Sequence, residues 1–317
     1  MATDVSKLEQ ETMEIFDRLM ADWQSDVLLL CTPTVDESAR LVVGELDGGG
    51  AFTVQSGASA PAATDVKGFK SASSPAVYER RIPVTFRQER DVKDLPMKIA
   101  TIMKQRATNQ WADDFWTLLG SGRTTAHPEN GVASSPYAAN GGGTVYYVDN
   151  FDMTFINGGT ATQTNDHTLA LSAANIDTVL SKRPAYKDRD GKTHLRETKP
   201  YLVYGQSNLT TARNIRDVKN ATYDGSGLVS PVINDLAGVI KAPSGFSAGA
   251  WALVYIEEYL DAFGRQARNS PVRMHVRKWP EVRIKEATDG NYYNVIGEME
   301  WDCFYAPFEG DLLFSKP

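Results

Sequence analysis

The sequence predicts an α+β chain organised around one long helix, and three observations carry that prediction. Residues 95–119 hold a single uninterrupted helical pattern. Directly before them, residues 40–76 are rich in Gly, Ala and Ser, with only short apolar bursts. Two long alternating segments, 272–285 and 292–305, close the chain as a β-hairpin through Thr288-Asp-Gly-Asn. In the helix, Leu95, Ile99, Met103, Ala107, Trp111, Phe115 and Leu119 recur at every fourth position, and Ile102, Trp116 and Leu118 widen the stripe. A stride of four precesses by roughly 40° per step on a helix of about 3.6 residues per turn, so the stripe winds around the rod. Successive turns must then face different neighbours, either inside one large core or as a spine crossing several layers. Asp94 is the expected N-cap, Pro96 sits where no amide is missed, and Gly120 is the expected stop.

Earlier elements follow from the same periodicities. Residues 5–23 read as an amphipathic helix carrying Leu8, Met13, Ile15, Phe16, Leu19 and Trp23. The bursts 41–45 and 52–55 flank Asp47-Gly-Gly-Gly and predict a hairpin. The segment around them has too little to bury within one subunit, so a neighbour is expected to order it. Residues 77–87 form a returning strand with Val77, Ile82, Val84 and Phe86.

After the long helix, residues 121–168 are loop-rich, with strands expected at 144–149 and around 153–156. Ser172 then caps a helix turning Ile176, Val179 and Leu180 inward, and Lys187-Asp-Arg-Asp-Gly191 makes a turn. A strand at 201–204, a helix capped by Ser207 and running through Val218, and a buried strand at 251–256 complete the middle.

Composition excludes several classes. A chain of 317 residues with 42% hydrophobic content can bury a sizeable core. Its net charge of -7 argues against a basic nucleic-acid-binding surface. The longest apolar run, 27–31, is far too short to span a bilayer. The first residues are charged and helical in pattern, unlike a secretory signal, so the sequons at Asn208 and Asn220 carry no meaning. Cys31 and Cys303 have neither metal nor framework spacing, and a reducing compartment fits them.

Candidate chemistry is sparse. His127, His167, His194 and His275 lie on separate elements without zinc-ligand spacing, and His275 reads as structural. Asp188, Asp190 and Gly191 resemble the start of a calcium loop, but its twelfth position is Lys199. Gly120-Ser-Gly-Arg follows a helix instead of opening one, and Ser207 sits in a context one glycine short of a nucleophile elbow. No catalytic, cofactor-binding or metal residue is expected, and the chain is not expected to be an enzyme. Mixed charge at Glu79-Arg80-Arg81, at 87–91 and at Lys93-Asp94 fits a solvated face or complementary pairing across a subunit boundary.

The order of parts resembles that of tailed-phage major capsid proteins with the Hong Kong 97-type fold: helical arm, glycine-rich extended hairpin, charged returning strand, spine helix, α/β region, terminal β-hairpin. A narrower resemblance, to the Mu-type major head subunit, rests on three stretches. These are Asn165-Asp-His167-Thr-Leu-Ala-Leu-Ser-Ala-Ala-Asn-Ile176, then Lys187-Asp-Arg-Asp-Gly191, and then Lys199-Pro-Tyr-Leu-Val-Tyr204 with Ala212-Arg213.

The resemblance implies an amino-terminal arm over 1–36, an extended loop over 37–86 and a peripheral domain over 87–165 containing the spine helix 95–119. It further implies an axial domain over 166–270 and peripheral β segments over 271–317. It also implies a structural head protein that assembles in the host cytoplasm into an icosahedral shell of pentamers and hexamers around packaged DNA. That shell is the virion capsid. DNA would be touched non-specifically, no membrane would be involved, and scaffolding, portal and decoration proteins are the expected partners. Lys67 and Lys70 fall in the implied loop, where some family members form a covalent lysine–asparagine crosslink; with neither the partner asparagine nor the catalytic glutamate evident, they are expected to keep the loop soluble. An encapsulin-like nanocompartment shell and a tail or baseplate protein are the alternative readings.

Overall fold

The computed structural model describes residues 5–23, 25–31, 33–38, 42–46, 68–72, 75–121, 147, 151–154, 160–186, 198–218, 222–223, 228–229, 231–243, 245–260, 266–286, 292–305 and 312–317. Two sheets and one long helix organise them. The terminal strands Val272–Glu286 and Tyr292–Tyr305 pair antiparallel, from Val272 opposite Tyr305 to Glu286 opposite Tyr293. Ala76–Thr85 adds antiparallel to the outer side of Tyr292–Tyr305, and Pro33–Val35 adds parallel to the far side of Val272–Glu286. Strand alternation sorts this sheet's faces: Val84, Val282, Ile284, Tyr293 and Val295 are buried, while Arg81, Arg283 and Lys285 are exposed. The register shifts between Val276 and Lys278 and again between Lys278 and Glu281. Pro280 lies in that interval and cannot donate to the ladder, so a bulge there is the local solution.

The amino-terminal helix Val5–Ala21 lies on this sheet and buries Leu8, Thr12, Phe16 and Met20. Thr12 turns its hydroxyl back to the Leu8 carbonyl at 2.7 Å, which lets a polar side chain sit in the core. Glu9 pins the arm by accepting the Ile284 amide at 3.1 Å.

The spine helix runs Leu95–Ser121, and the whole every-fourth series is buried. Ile102, expected in the stripe, is exposed, and Ala100 is buried in its place, which narrows the buried track. The winding predicted from the stride of four is visible in its neighbours. Met103 faces Gly297, where an added Cβ would lie 3.0 Å from the Met103 sulfur. Two turns on, Trp111 is wholly buried among Trp23, Trp279 and Trp301, with ring centroids 4.9, 5.4 and 5.8 Å away. At the far end, the Tyr147 hydroxyl donates to the Leu119 carbonyl at 2.6 Å, and the Tyr305 hydroxyl donates to that of Leu118. These tyrosines satisfy carbonyls that a helix end leaves orphaned.

Gly120 does not stop the helix, which continues to Ser121. A Cβ on Gly120 would stand 3.2 Å from the Phe246 Cα, so the glycine permits close backbone approach. Asp94 likewise departs from its expected role. Its φ of 58° lies outside the extended geometry of a side-chain N-cap, and its carbonyl accepts the Lys98 amide.

The second sheet has the order Gly238–Lys241, Pro200–Tyr204, Trp251–Tyr255, Leu312–Ser315, Asp166–His167. Every residue of Trp251–Tyr255 is buried because both faces are covered. Leu202, Tyr204, Trp251, Leu253 and Leu313 share a core with Ile176 and Val179 of the helix Ala173–Lys182 and Ala212 and Ile215 of Leu209–Asp217. Val203, Ala252, Val254, Leu312 and Phe314 turn the other way and join the core of the spine helix and first sheet.

One further expectation is corrected and others fall outside the described residues. The strand Val42–Leu46 pairs antiparallel with Gly68–Ala72, Val42 opposite Ala72 and Leu46 opposite Gly68. Residues 52–55 lie outside the described set, as do Lys187-Asp-Arg-Asp-Gly191, Thr288-Asp-Gly-Asn and, apart from Tyr147, the strand expected at 144–149. The strand expected around 153–156 is Phe151–Thr154, paired with Thr160–Gln163. Ser172 caps its helix as expected, accepting the Asn175 amide at 3.1 Å. Ser207 instead lies in the 3-10 turn Gln206–Asn208, where its amide donates to the Ala248 carbonyl at 2.9 Å. Gly205 makes that contact possible, since a Cβ there would lie 2.2 Å from the Ser247 carbonyl oxygen.

Neither Cys31 nor Cys303 is in a disulfide. Cys31 ends the short helix Asp26–Leu30 and Cys303 lies on Tyr292–Tyr305 opposite Met274. Burial pushes the Cys31 thiol up to about 12, leaving it unreactive.

Among the described residues, the indole N–H groups of Trp111 and Trp301 are buried without an acceptor. Trp111→Ala should therefore cost about 3–5 kcal/mol in denaturant unfolding, whereas Trp111→Phe should cost much less, because it removes an unsatisfied donor along with the lost volume. Equal losses would contradict this packing. Gly205→Ala should cost ~3 kcal/mol or prevent folding, because the obstructing atoms are backbone.

Candidate intersubunit surface

Among the described residues, no three His, Cys, Asp or Glu side chains come together as a metal site. His167 and His275 lie in different sheets, and His275 Nε2 sits 2.8 Å from the Asp36 carbonyl. His127, His194, Asp188 and Asp190 lie outside the described residues. The exterior of the first sheet gathers the chain's mixed charge instead.

Across that exterior the register sets Glu281 opposite Glu298 and Glu298 opposite Glu79, a row of carboxylates over three strands. Like charges directly opposite are unfavourable, so cations must interleave. Lys278 does so, its Nζ 2.7 Å from both Glu281 and Glu298. Arg283 pairs with Glu281, Arg81 with Glu79, and Arg277 with Glu300. The hydrogen bond from Lys278 holds the Glu298 carboxyl below its ordinary range. These pairs are substantially solvated, so each contributes little to stability. They order the face more than they stabilise it.

Ala76–Thr85 is the edge of this sheet, and among the described residues nothing pairs with its outer side. Its chain ends in a capping box: the Gln88 amide donates to the Thr85 hydroxyl at 3.2 Å, and the Thr85 amide donates to Gln88 Oε1 at 2.9 Å. At the opposite edge stands Pro33–Val35. Each edge strand exposes a valine, Val77 at 62% and Val35 at 61%. The ladder of Val42–Leu46 and Gly68–Ala72 belongs to neither sheet. A lone two-stranded ladder is marginal in water, so it needs a surface to rest on. Lys70 is on it, opposite Gly44, while Lys67 lies outside the described residues.

Behind the edge strand lies a groove of about 270 Å³, lined by Tyr78, Arg80, Met103, Arg106, Pro280 and Gly297 among others. Gly297 and the bulge at Pro280 leave this space open. Beside it, Asp114 of the spine helix accepts the Tyr78 hydroxyl at 3.1 Å and the Gln110 amide at 3.0 Å. Burial raises the Asp114 carboxyl above its ordinary range, and burial with the Asp114 charge pushes Tyr78 up to about 12. Two signals in the sequence bore on this surface and were not used to place it: Pro83, which suits an edge strand, and Pro280, which forces the bulge.

No protein-family model and no curated protein matches the sequence. Solved structures do match in fold. A chain of the capsid structure of the cyanophage P-SCSP1u superposes with a TM-score of 0.54 at 8% identity, covering 90% of this chain and 85% of that one. The fold is shared with a phage capsid. A chain from Mycobacterium phage Patience gives 0.51 at 12% identity over 97% of this chain and 85% of its own. One from Mycobacterium phage Bobi gives 0.50 at 13% over 92% and 89%. At such identities the capsid fold is common, while the charged rows, groove and edge described above are read from this chain alone.

Because the folded-state pKa of Asp114 is raised, its contribution to stability is complete in acid and is lost as pH rises through that value. Asp114→Asn, which keeps an acceptor for Tyr78, should raise the melting temperature relative to the parent more at pH 7 than at pH 3.5. A difference that is constant with pH, or larger in acid, would contradict the buried-carboxyl account.

Proposed function

We propose that the chain is the major capsid protein of a phage head, a structural subunit that assembles into an icosahedral shell around packaged DNA. The observation that carries this reading is the combination of a capsid fold with features that the described residues of one subunit leave incomplete: two open sheet edges and a ladder that joins neither large sheet. Exposed edges template pairing with another chain, and a shell supplies such chains at every edge. In this reading the glycine-rich loop of one subunit lies over the spine helix of the next, and charge at Glu79–Lys93 sets the register between them. The net charge of -7 keeps contact with packaged DNA weak and non-specific.

The finer divisions belong to the same proposal. The arm is 1–36, the extended loop 37–86, the peripheral domain 87–165 with 271–317, and the axial domain 166–270. One strand crosses this division, since Leu312–Ser315 is hydrogen-bonded within the axial sheet between Trp251–Tyr255 and Asp166–His167. The order of parts along the chain supports a Hong Kong 97-type topology, and the stretches at 165–176, 187–191 and 199–213 support a Mu-type relationship within it. Pentamers and hexamers would be the assembly units, with scaffolding, portal and decoration proteins supplied separately.

Negative-stain microscopy of the purified protein, alone and co-expressed with its genomic neighbours, should show closed shells. A variant lacking residues 48–74 should retain the monomer's fold by circular dichroism and lose all shells. A stable monomer without particles under every condition, or a deletion variant that fails to fold, would contradict the proposal.

A further inference from the structure

The free edge of Ala76–Thr85 has an internal symmetry of its own. Pro83 has no N–H, and the Thr85 N–H is taken by Gln88, so these residues have their ladder side turned away from Tyr292–Tyr305. Backbone groups alternate along a strand, so Val77, Glu79 and Arg81 present theirs to the same open side. In an antiparallel copy centred on residue 80, Glu79 meets Arg81 of the second strand, and the reverse pair forms by symmetry. Val77 meets Pro83, and Tyr78 meets Ile82. Each Glu79–Arg81 pair exchanges both backbone bonds, and the Val77 N–H reaches the Pro83 carbonyl, so the missing proline donor falls at the end of the ladder.

The side chains agree with that register. Glu79 and Arg81 already form an exposed ion pair within one strand, with charges that can be shared across the axis. Val77, among the most exposed large apolar side chains described, gains an apolar partner in Pro83. The one like-charge meeting is Arg80 with its copy, on the face opposite Glu79 and Arg81, where Arg80 lines the groove and both guanidinium groups can turn to solvent.

We infer that Ala76–Thr85 pairs with the same strand of a second copy about a twofold axis through Arg80, joining two four-stranded sheets into one continuous sheet. This goes beyond the shell reading by naming an axis, a register and the residues that read it. The partner is a second copy of this chain.

Disulfide trapping tests the register. Across the axis the two residue-80 Cα atoms would be about 4.5 Å apart in a non-hydrogen-bonded pair, within disulfide range. Under oxidised glutathione, Arg80→Cys should give a covalent dimer on a non-reducing gel. Tyr78→Cys and Ile82→Cys should each give none alone but a heterodimer when mixed, and the parent chain should give none. As a second measurement, Glu79→Arg or Arg81→Glu alone should abolish the Arg80→Cys dimer, and the double exchange should restore it. Microscopy separates the two proposals. Particles that assemble without an Arg80→Cys dimer overturn the edge pairing and leave the shell reading standing. A dimer in solution without particles supports the pairing and counts against the shell. Equal trapping of all three single variants overturns the register.

Discussion

One helix serves two sheets, and the rest of the molecule is arranged around that constraint. A rod that packed on a single layer would need a stripe parallel to its axis; Leu95–Ser121 carries one that turns. Its middle is held by the indole cluster of Trp23, Trp111, Trp279 and Trp301, which draws on the arm, the spine and both strands of the terminal hairpin. Its end is held by Phe246, by the hydroxyls of Tyr147 and Tyr305, and by glycines that let backbones meet. Trp251–Tyr255 then shows why the second sheet belongs to the same body. Its odd and even residues feed two cores, and only one of these is shared with the spine.

That arrangement spends the interior of the first sheet on the helices and, among the described residues, leaves its exterior and both edges open. The exterior is ordered by interleaved charges that contribute little energy, which suits a face that must keep a register without closing prematurely. Each edge strand exposes a valine, and among the described residues neither edge is paired on its outer side. Natural monomers usually blunt such edges; here Pro83 limits the pairing on one side without forbidding it. The proposed shell would complete this sheet with a second subunit at the edge that one chain leaves open.

Much of this was legible from residues. The every-fourth apolar series announced both the spine helix and its several neighbours, and alternation in the last 46 residues announced the long hairpin. Ser172 read correctly because an N-cap is local chemistry. Ser207 and Gly120 did not, because their roles depend on residues 245–250 approaching from a distant part of the chain, which no local pattern encodes. The pairing of Val42–Leu46 with Gly68–Ala72 was not legible for a related reason: it joins segments more than twenty residues apart, which no local turn signal encodes. Which strand would be an edge was not legible at all, since edge status is a property of the assembled sheet.

Residue-resolved hydrogen exchange, comparing isolated subunits with assembled particles, tests the central claim most directly. The account predicts that the amides of Val77, Glu79 and Arg81 exchange rapidly in the subunit and become protected in the particle, while Tyr78, Arg80 and Ile82, bonded within the sheet, are protected in both. Equal and rapid exchange of the odd-numbered amides in both states would contradict it.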